Sequence, residues 1–170
     1  MLTTTRTLLL VAVLGGGWLL AGCSSSSPHA TASPSLLTLT QLQARYTEAA
    51  SAYNANAARI AHSESMYCDP HSSSADLTQC QKALSEDRQA TLAFDSALRG
   101  IAFSGQAETD VHQLLADDAA LETLLEQAAT APSLTAIAQL TGQIFPLLNT
   151  TASDASKVRT DLGLPQASPG

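Results

Sequence analysis

The chain has 170 residues, with 8 lysines and arginines against 15 aspartates and glutamates, and its net charge is −7 at neutral pH. This excess of acid argues against binding to nucleic acid and against a polybasic grip on anionic lipid. The length is that of a single domain with a core of useful size.

The N-terminal region combines one basic residue, Arg6, with a short apolar run from Leu8 to Leu19. This run is shorter than the roughly 20 apolar residues that a membrane-spanning helix needs, so it is typical of a removable secretory signal. The four residues Leu20-Ala21-Gly22-Cys23 follow directly. Together these features resemble the signal peptide and lipobox of bacterial lipoproteins.

The resemblance implies cleavage before Cys23, which would remove residues 1–22, and attachment of a diacylglycerol to the Cys23 thiol. Two acyl chains hold a protein on a membrane essentially permanently, so the expected location is the extracytoplasmic side of the cell membrane. The alternative is a secreted protein in which Cys23 is incidental. Residues 23–36 are rich in serine and proline, and this composition predicts a flexible linker behind the anchor.

Two further cysteines, Cys68 and Cys80, lie in the predicted folded part. In an oxidising space outside the cytoplasm, a single remaining pair most simply forms a disulfide. The alternative is a soft-metal site in which the thiolates act together with His62, Met66 and His71.

Apolar residues recur with helical periodicity over residues 37–165, and this predicts an all-α domain of four helices. The first helix is expected to end before Asp69-Pro70 and the second to begin at Asp76, which is a typical N-cap residue. The third helix follows the break at Ser104-Gly105. The fourth helix is expected to begin after Ser133, another typical N-cap.

The fourth helix is predicted to end at Gly163 and Pro165, leaving residues 166–170 as a C-terminal tail. Pro146 lies inside this helix and predicts a kink or a split there. Four long helices with short connections favour an up-down-up-down bundle.

Several polar residues fall within the apolar sector of their helices, which predicts a polar layer in the middle third of the bundle. Bundle interiors are where metal and cofactor sites are built, so Asp87, Asp117 and Asp118 are candidate metal ligands. The alternative is that these aspartates lie at helix borders and pair with Arg45 or Arg88, or reach water. The predicted layer consists of Asn56, Asp87, Asp117, Asp118 and Thr151, with Arg45 and Tyr53 at comparable heights.

Three acids on the third helix, Asp118, Glu122 and Glu126, follow one another at intervals of one turn. Like charges at this spacing repel by a few tenths of a kcal/mol per pair, so the stripe is a candidate surface for a basic protein partner or a divalent cation. The alternative is an acidic face that only contacts water.

The sequence contains no Glu-x-x-His pair, no Gly-rich phosphate loop and no nucleophile elbow, so we expect neither an enzyme nor a cofactor. The part beyond the linker resembles the small, alanine-rich helical lipoproteins of actinobacteria, particularly in its closing segment 158–165. The leading hypothesis is a lipid-anchored, non-enzymatic binding or scaffold module of the cell envelope. The alternative hypothesis is a helical bundle that binds a metal or a small ligand.

Overall fold

A computed structural model describes residues 37–166, together with the backbone of Leu9–Leu10 and of Ser168–Pro169. These two dipeptides form strands β1 and β2, which pair antiparallel with Leu9 opposite Pro169. The lipobox and residues 23–36 lie outside the described residues, as does the predicted signal peptide apart from the Leu9–Leu10 backbone.

Four helices account for most of the described chain, and each packs against the next one in sequence. Side chains of the first helix also reach the fourth, since Gln43 donates to the Leu162 carbonyl over 2.7 Å. These contacts confirm the predicted all-α four-helix bundle. The helices are α1 (Leu39–Tyr67), α2 (Leu77–Arg99), α3 (Gln106–Ala129) and α4 (Leu134–Asp161).

Local sequence fixes most of the helix ends. The side chain of Asp76 accepts from the backbone of Gln79, and Ser133 caps α4 in the same way, so both predicted N-caps are confirmed. Gly163 follows α4 with a φ of 65°, a conformation that favours glycine, and it allows Leu164 to donate back to the Arg159 carbonyl.

Helix α4 runs unbroken through Pro146, so the predicted split is wrong, while the kink stays a prediction. Proline removes the hydrogen bond that its N–H would donate to the carbonyl four residues earlier. Both Pro146 and Gly142 are exposed, so this loss falls on the side of the helix where water can reach the freed carbonyl.

The core consists of two apolar clusters at opposite ends of the bundle. The terminal cluster lies where α1 begins and α4 ends, and the disulfide cluster lies where α1 meets α2 and α3 meets α4. The terminal cluster contains Leu42, Tyr46, Ala50, Leu98, Ile101, Ala107, Val111, Leu114, Val158 and Leu162. The disulfide cluster contains Cys80, Leu84, Leu121, Leu125, Ala128, Ala131, Ile137 and Ile144.

Cys68 and Cys80 form a disulfide with their Cα atoms 5.0 Å apart, which confirms the predicted pairing. Cys68 is the C-cap residue of α1, while Cys80 lies in the first turn of α2 and is completely buried. The bond therefore ties the first helical hairpin at its turn. Because both sulfur atoms are bonded to each other, they are not thiolate ligands for a metal.

Candidate functional site

A layer of buried polar side chains separates the two apolar clusters. On α2 the layer falls between Leu84 and Leu98, on α3 between Leu114 and Leu121, and on α4 between Ile144 and Val158. Every member is less than a tenth exposed. The members are Asp87, Thr91, Asp95, Asp118, Thr151 and Asp154.

The sequence correctly placed Asp87, Asp118 and Thr151 in this layer, but it was wrong about two other residues. Asn56 is exposed and donates to the Ala52 carbonyl of its own helix over 3.1 Å. Asp117 is only half-buried and accepts a hydrogen bond of 2.7 Å from Gln113. Consecutive helical residues point about 100° apart, so Asp117 and Asp118 do not both face the core.

Three members of the layer, Thr91, Asp95 and Asp154, were missed by the sequence analysis. The spacing of these residues along their helices could have indicated that they are buried. From Leu84 onwards the buried positions of α2 follow one another at intervals of three or four residues, and this series includes Thr91 and Asp95. Similarly, Asp154 directly precedes an apolar position on α4.

The centre of the layer is a contact between two carboxyl groups. Asp95 on α2 is fully buried, Asp118 on α3 is 4% exposed, and their side chains are hydrogen-bonded to each other. Arg99, one turn along α2, donates from Nη2 to Oδ2 of Asp95 over 2.9 Å. Two ionised carboxylates have no proton to share, so this contact requires one of the two groups to be protonated.

The pKa of Asp118 is raised to about 8, first by burial and then by the negative charge of Asp95 and the hydrogen bond to it. Burial also raises the pKa of Asp95, but the hydrogen bond from Asp118 and the charge of Arg99 oppose that rise. At neutral pH, therefore, Asp118 holds the proton of this contact, and the bond from Arg99 favours the ionised form of Asp95.

The predicted acidic stripe does not form one exposed face. Asp118 lies in the core, Glu122 is half-buried with its Oε1 atom enclosed, and Glu126 is exposed and pairs with Arg88 at 3.3 Å. Each step of four residues turns about 40° around a helix, so the three acids pass from the core to the surface. Burial first, and then the charge of Asp95, raise the pKa of Glu122.

The candidate metal ligands Asp87, Asp117 and Asp118 differ in their surroundings, since Asp87 and Asp118 are buried and Asp117 is half-buried. Within the described part of the chain, no group of three or more histidine, cysteine, aspartate or glutamate side chains is arranged to hold a metal ion. Asp118 instead shares its hydrogen bond with Asp95, as described above.

A second group of acids lies on the surface where α3 and α4 run side by side. The carboxyl groups of Asp110 and Asp161 are hydrogen-bonded to each other, and the pKa of Asp161 is raised, first by desolvation and then by this contact. Lys157 forms an ion pair of 2.6 Å with Asp154, and its pKa is raised by Asp154 and by Asp110 and Asp117. We call Asp110, Asp117, Asp161 and Lys157 the acidic seam.

No family model, curated protein or solved structure matches this chain. Among helices α1 to α4, none is long and apolar enough to cross a membrane. The proposals that follow therefore rest on the sequence and on the contacts of the described residues.

We expect the Arg99→Ala variant to lower the free energy of unfolding by roughly 1–3 kcal/mol at pH 7, because the buried Asp95 would lose its cationic partner. Urea unfolding followed by circular dichroism measures the change. The matched control is Arg59→Ala, which breaks the surface pair with Glu86 and should cost less than about 1 kcal/mol. Equal losses in the two variants would show that Arg99 does not neutralise a buried charge.

Proposed function

We propose that this chain is a bacterial lipoprotein in which a helical bundle is held at the outer face of the cell membrane through a lipid on Cys23. The observation that carries the proposal is the Cys68–Cys80 disulfide, considered together with the Leu20–Cys23 box. Structural disulfides persist in oxidising compartments and are rare in the cytoplasm. The disulfide and the box therefore independently favour the same side of the membrane.

The arrangement of the helices supports a definite orientation for the anchored bundle. The anchor would be joined to α1, so the end that contains the terminal cluster would face the membrane and the disulfide turn would face away from it. The membrane-facing end also carries Glu108, Asp110 and Asp161. These acids would be repelled by anionic lipid, which favours a bundle that stands off the surface and contacts another protein.

We propose a binding or scaffold role without catalysis, with the acidic seam as the contact surface for a basic protein partner. The seam replaces the Asp118–Glu126 stripe, because Asp118 is buried and Glu126 already pairs with Arg88. Asp110 and Asp161 are two acids held in contact at the surface. A lysine or arginine of a partner would neutralise the pair and stabilise both groups as carboxylates.

The alternative of a bundle that binds a metal or a small ligand gains no support from the described residues. The side chains of Arg59, Tyr67, Lys82 and Glu86 line a shallow groove between α1 and α2. Arg59 and Glu86 already bond to each other there, over 2.6 Å.

The anchor is tested by the Cys23→Ala variant, expressed in full in a bacterium that processes lipoproteins. We expect the variant to leave the membrane fraction and to lose incorporation of a labelled fatty acid, because it has no thiol to acylate. The control is the Cys68→Ala/Cys80→Ala double variant, which should remain lipidated and membrane-bound. Retention of the Cys23→Ala variant on the membrane without label would overturn the proposed anchor.

The contact surface is tested by cross-linking whole cells with a carbodiimide, which joins carboxylates to lysines in direct contact. We expect the anchored protein to give a cross-linked adduct that disappears in the Asp110→Asn/Asp161→Asn variant, because both changes remove the reacting carboxylates. The control is Glu48→Gln, an exposed acid on α1 that lies outside the acidic seam. An adduct that survives the double variant unchanged would place the contact elsewhere.

A further inference from the structure

The contact between Asp95 and Asp118 joins α2 to α3 at the level where the two apolar clusters are interrupted. Both side chains are buried and in contact, and among the described residues Oδ1 of Asp95 accepts no hydrogen bond from a backbone or side-chain N–H or from a hydroxyl group. The acid proton of Asp118 is therefore what turns this contact from a repulsion into a hydrogen bond.

Charged and titratable groups surround Asp118 on every helix that packs around it. The acids raise its pKa, while among residues 37–166 the one cation bonded to the pair is Arg99, which donates to Asp95. Ionised Asp118 would therefore lie beside ionised Asp95 without a cation of its own. The groups that interact with Asp118 itself are Tyr46 of α1, Asp95 of α2, and Asp117 and Glu122 of α3. The cations of this region act on its neighbours: Arg88 and Arg99 of α2 on Glu122, and Arg159 of α4 on Tyr46.

Two nearby groups, Tyr46 and Arg159, are hydrogen-bonded to backbone carbonyls, so neither stabilises an ionised Asp118. The Tyr46 hydroxyl donates to the Ala155 carbonyl over 3.2 Å, and burial raises its pKa to about 12, so it stays neutral. The Arg159 guanidinium donates to the Pro165 carbonyl from Nε and Nη2. Within the described residues, the structure shows neither group bonded to Asp118.

We propose that the Asp118–Asp95 contact is a proton-operated latch between α2 and α3, closed while Asp118 carries its proton and released in alkaline medium. The latch is a property of the bundle itself, so it stands or fails independently of the lipid anchor and of the acidic seam. If the bundle does lie outside the cytoplasm, the external medium sets the state of the latch directly.

The direction of the pH effect follows from the shifted pKa. Folded Asp118 has a pKa of about 8, whereas an aspartate in an unfolded chain titrates near 3.9. The stability contributed by the latch is therefore fully present below about pH 4 and is lost progressively as the pH rises to about 8. Over this range the unfolding constant should increase by up to tenfold per pH unit.

The test is urea unfolding of the full-length protein in detergent between pH 5.5 and 8.5, comparing the unchanged chain with Asp118→Asn and Asp117→Asn. We expect a clearly flatter profile for Asp118→Asn, by at least about tenfold in the unfolding constant over the range, because an amide donates to Asp95 at every pH. Asp117→Asn should keep the original profile. Identical profiles for the unchanged chain and for Asp118→Asn would overturn the latch.

Hydrogen exchange measures whether the release is local. We expect protection of segments 87–99 and 111–122 to fall more steeply between pH 6 and pH 9 than protection of 136–150, after correction for intrinsic exchange. A uniform fall, or none, would overturn the proposed location of the latch. If Asp118→Asn does not fold, Asp95→Asn gives a weaker form of the comparison. It removes the charge of Asp95, the second cause of the raised pKa of Asp118, while burial, the first cause, remains, so the profile should flatten in part.

Discussion

The proton shared by Asp118 and Asp95 is the interaction on which the middle of this bundle depends. A carboxylate buried without a partner costs several kcal/mol, and this layer contains four aspartates within the core of a small domain. Protonation removes the charge of Asp118, Arg99 neutralises Asp95, and Lys157 neutralises Asp154. Because the charges of these three aspartates are neutralised locally, the polar layer can lie between the two apolar clusters in the interior of the bundle.

Different parts of the structure provide the stability of the bundle and the proposed contact with other molecules. The two apolar clusters and the disulfide hold the helices together, whereas the carboxyl pair makes the α2–α3 contact responsive to protons. The acidic seam lies on a different face, between α3 and α4, where Asp161 is exposed and Asp110 and Asp117 are half-buried. Binding at the seam and release of the latch would therefore involve different faces of α3.

The sequence predicted those features that local chemistry determines. Helical periodicity gave the bundle, Asp76 and Ser133 gave two helix starts, and the cysteines gave the disulfide. The depth of individual acids was harder to predict, because a rotation of a few tens of degrees moves a side chain from the core to the surface. Asp95 was hidden behind its neighbour Phe94, since apolar periodicity assigns the core position to the apolar member of such a pair. The partner of each buried acid depends on which helices are adjacent and on how far along the bundle their side chains meet. The sequence of one helix alone does not contain this information.

The most direct test of this account is a titration of the aspartate carboxyl carbons by NMR in the full-length protein. The account predicts that Asp118 titrates with a midpoint near pH 8 and that the Asp95 signal responds in the same step, because the two groups share one proton. A midpoint near the ordinary value of about 4 for Asp118 would contradict the account, because the contact would then join two ionised carboxylates at neutral pH.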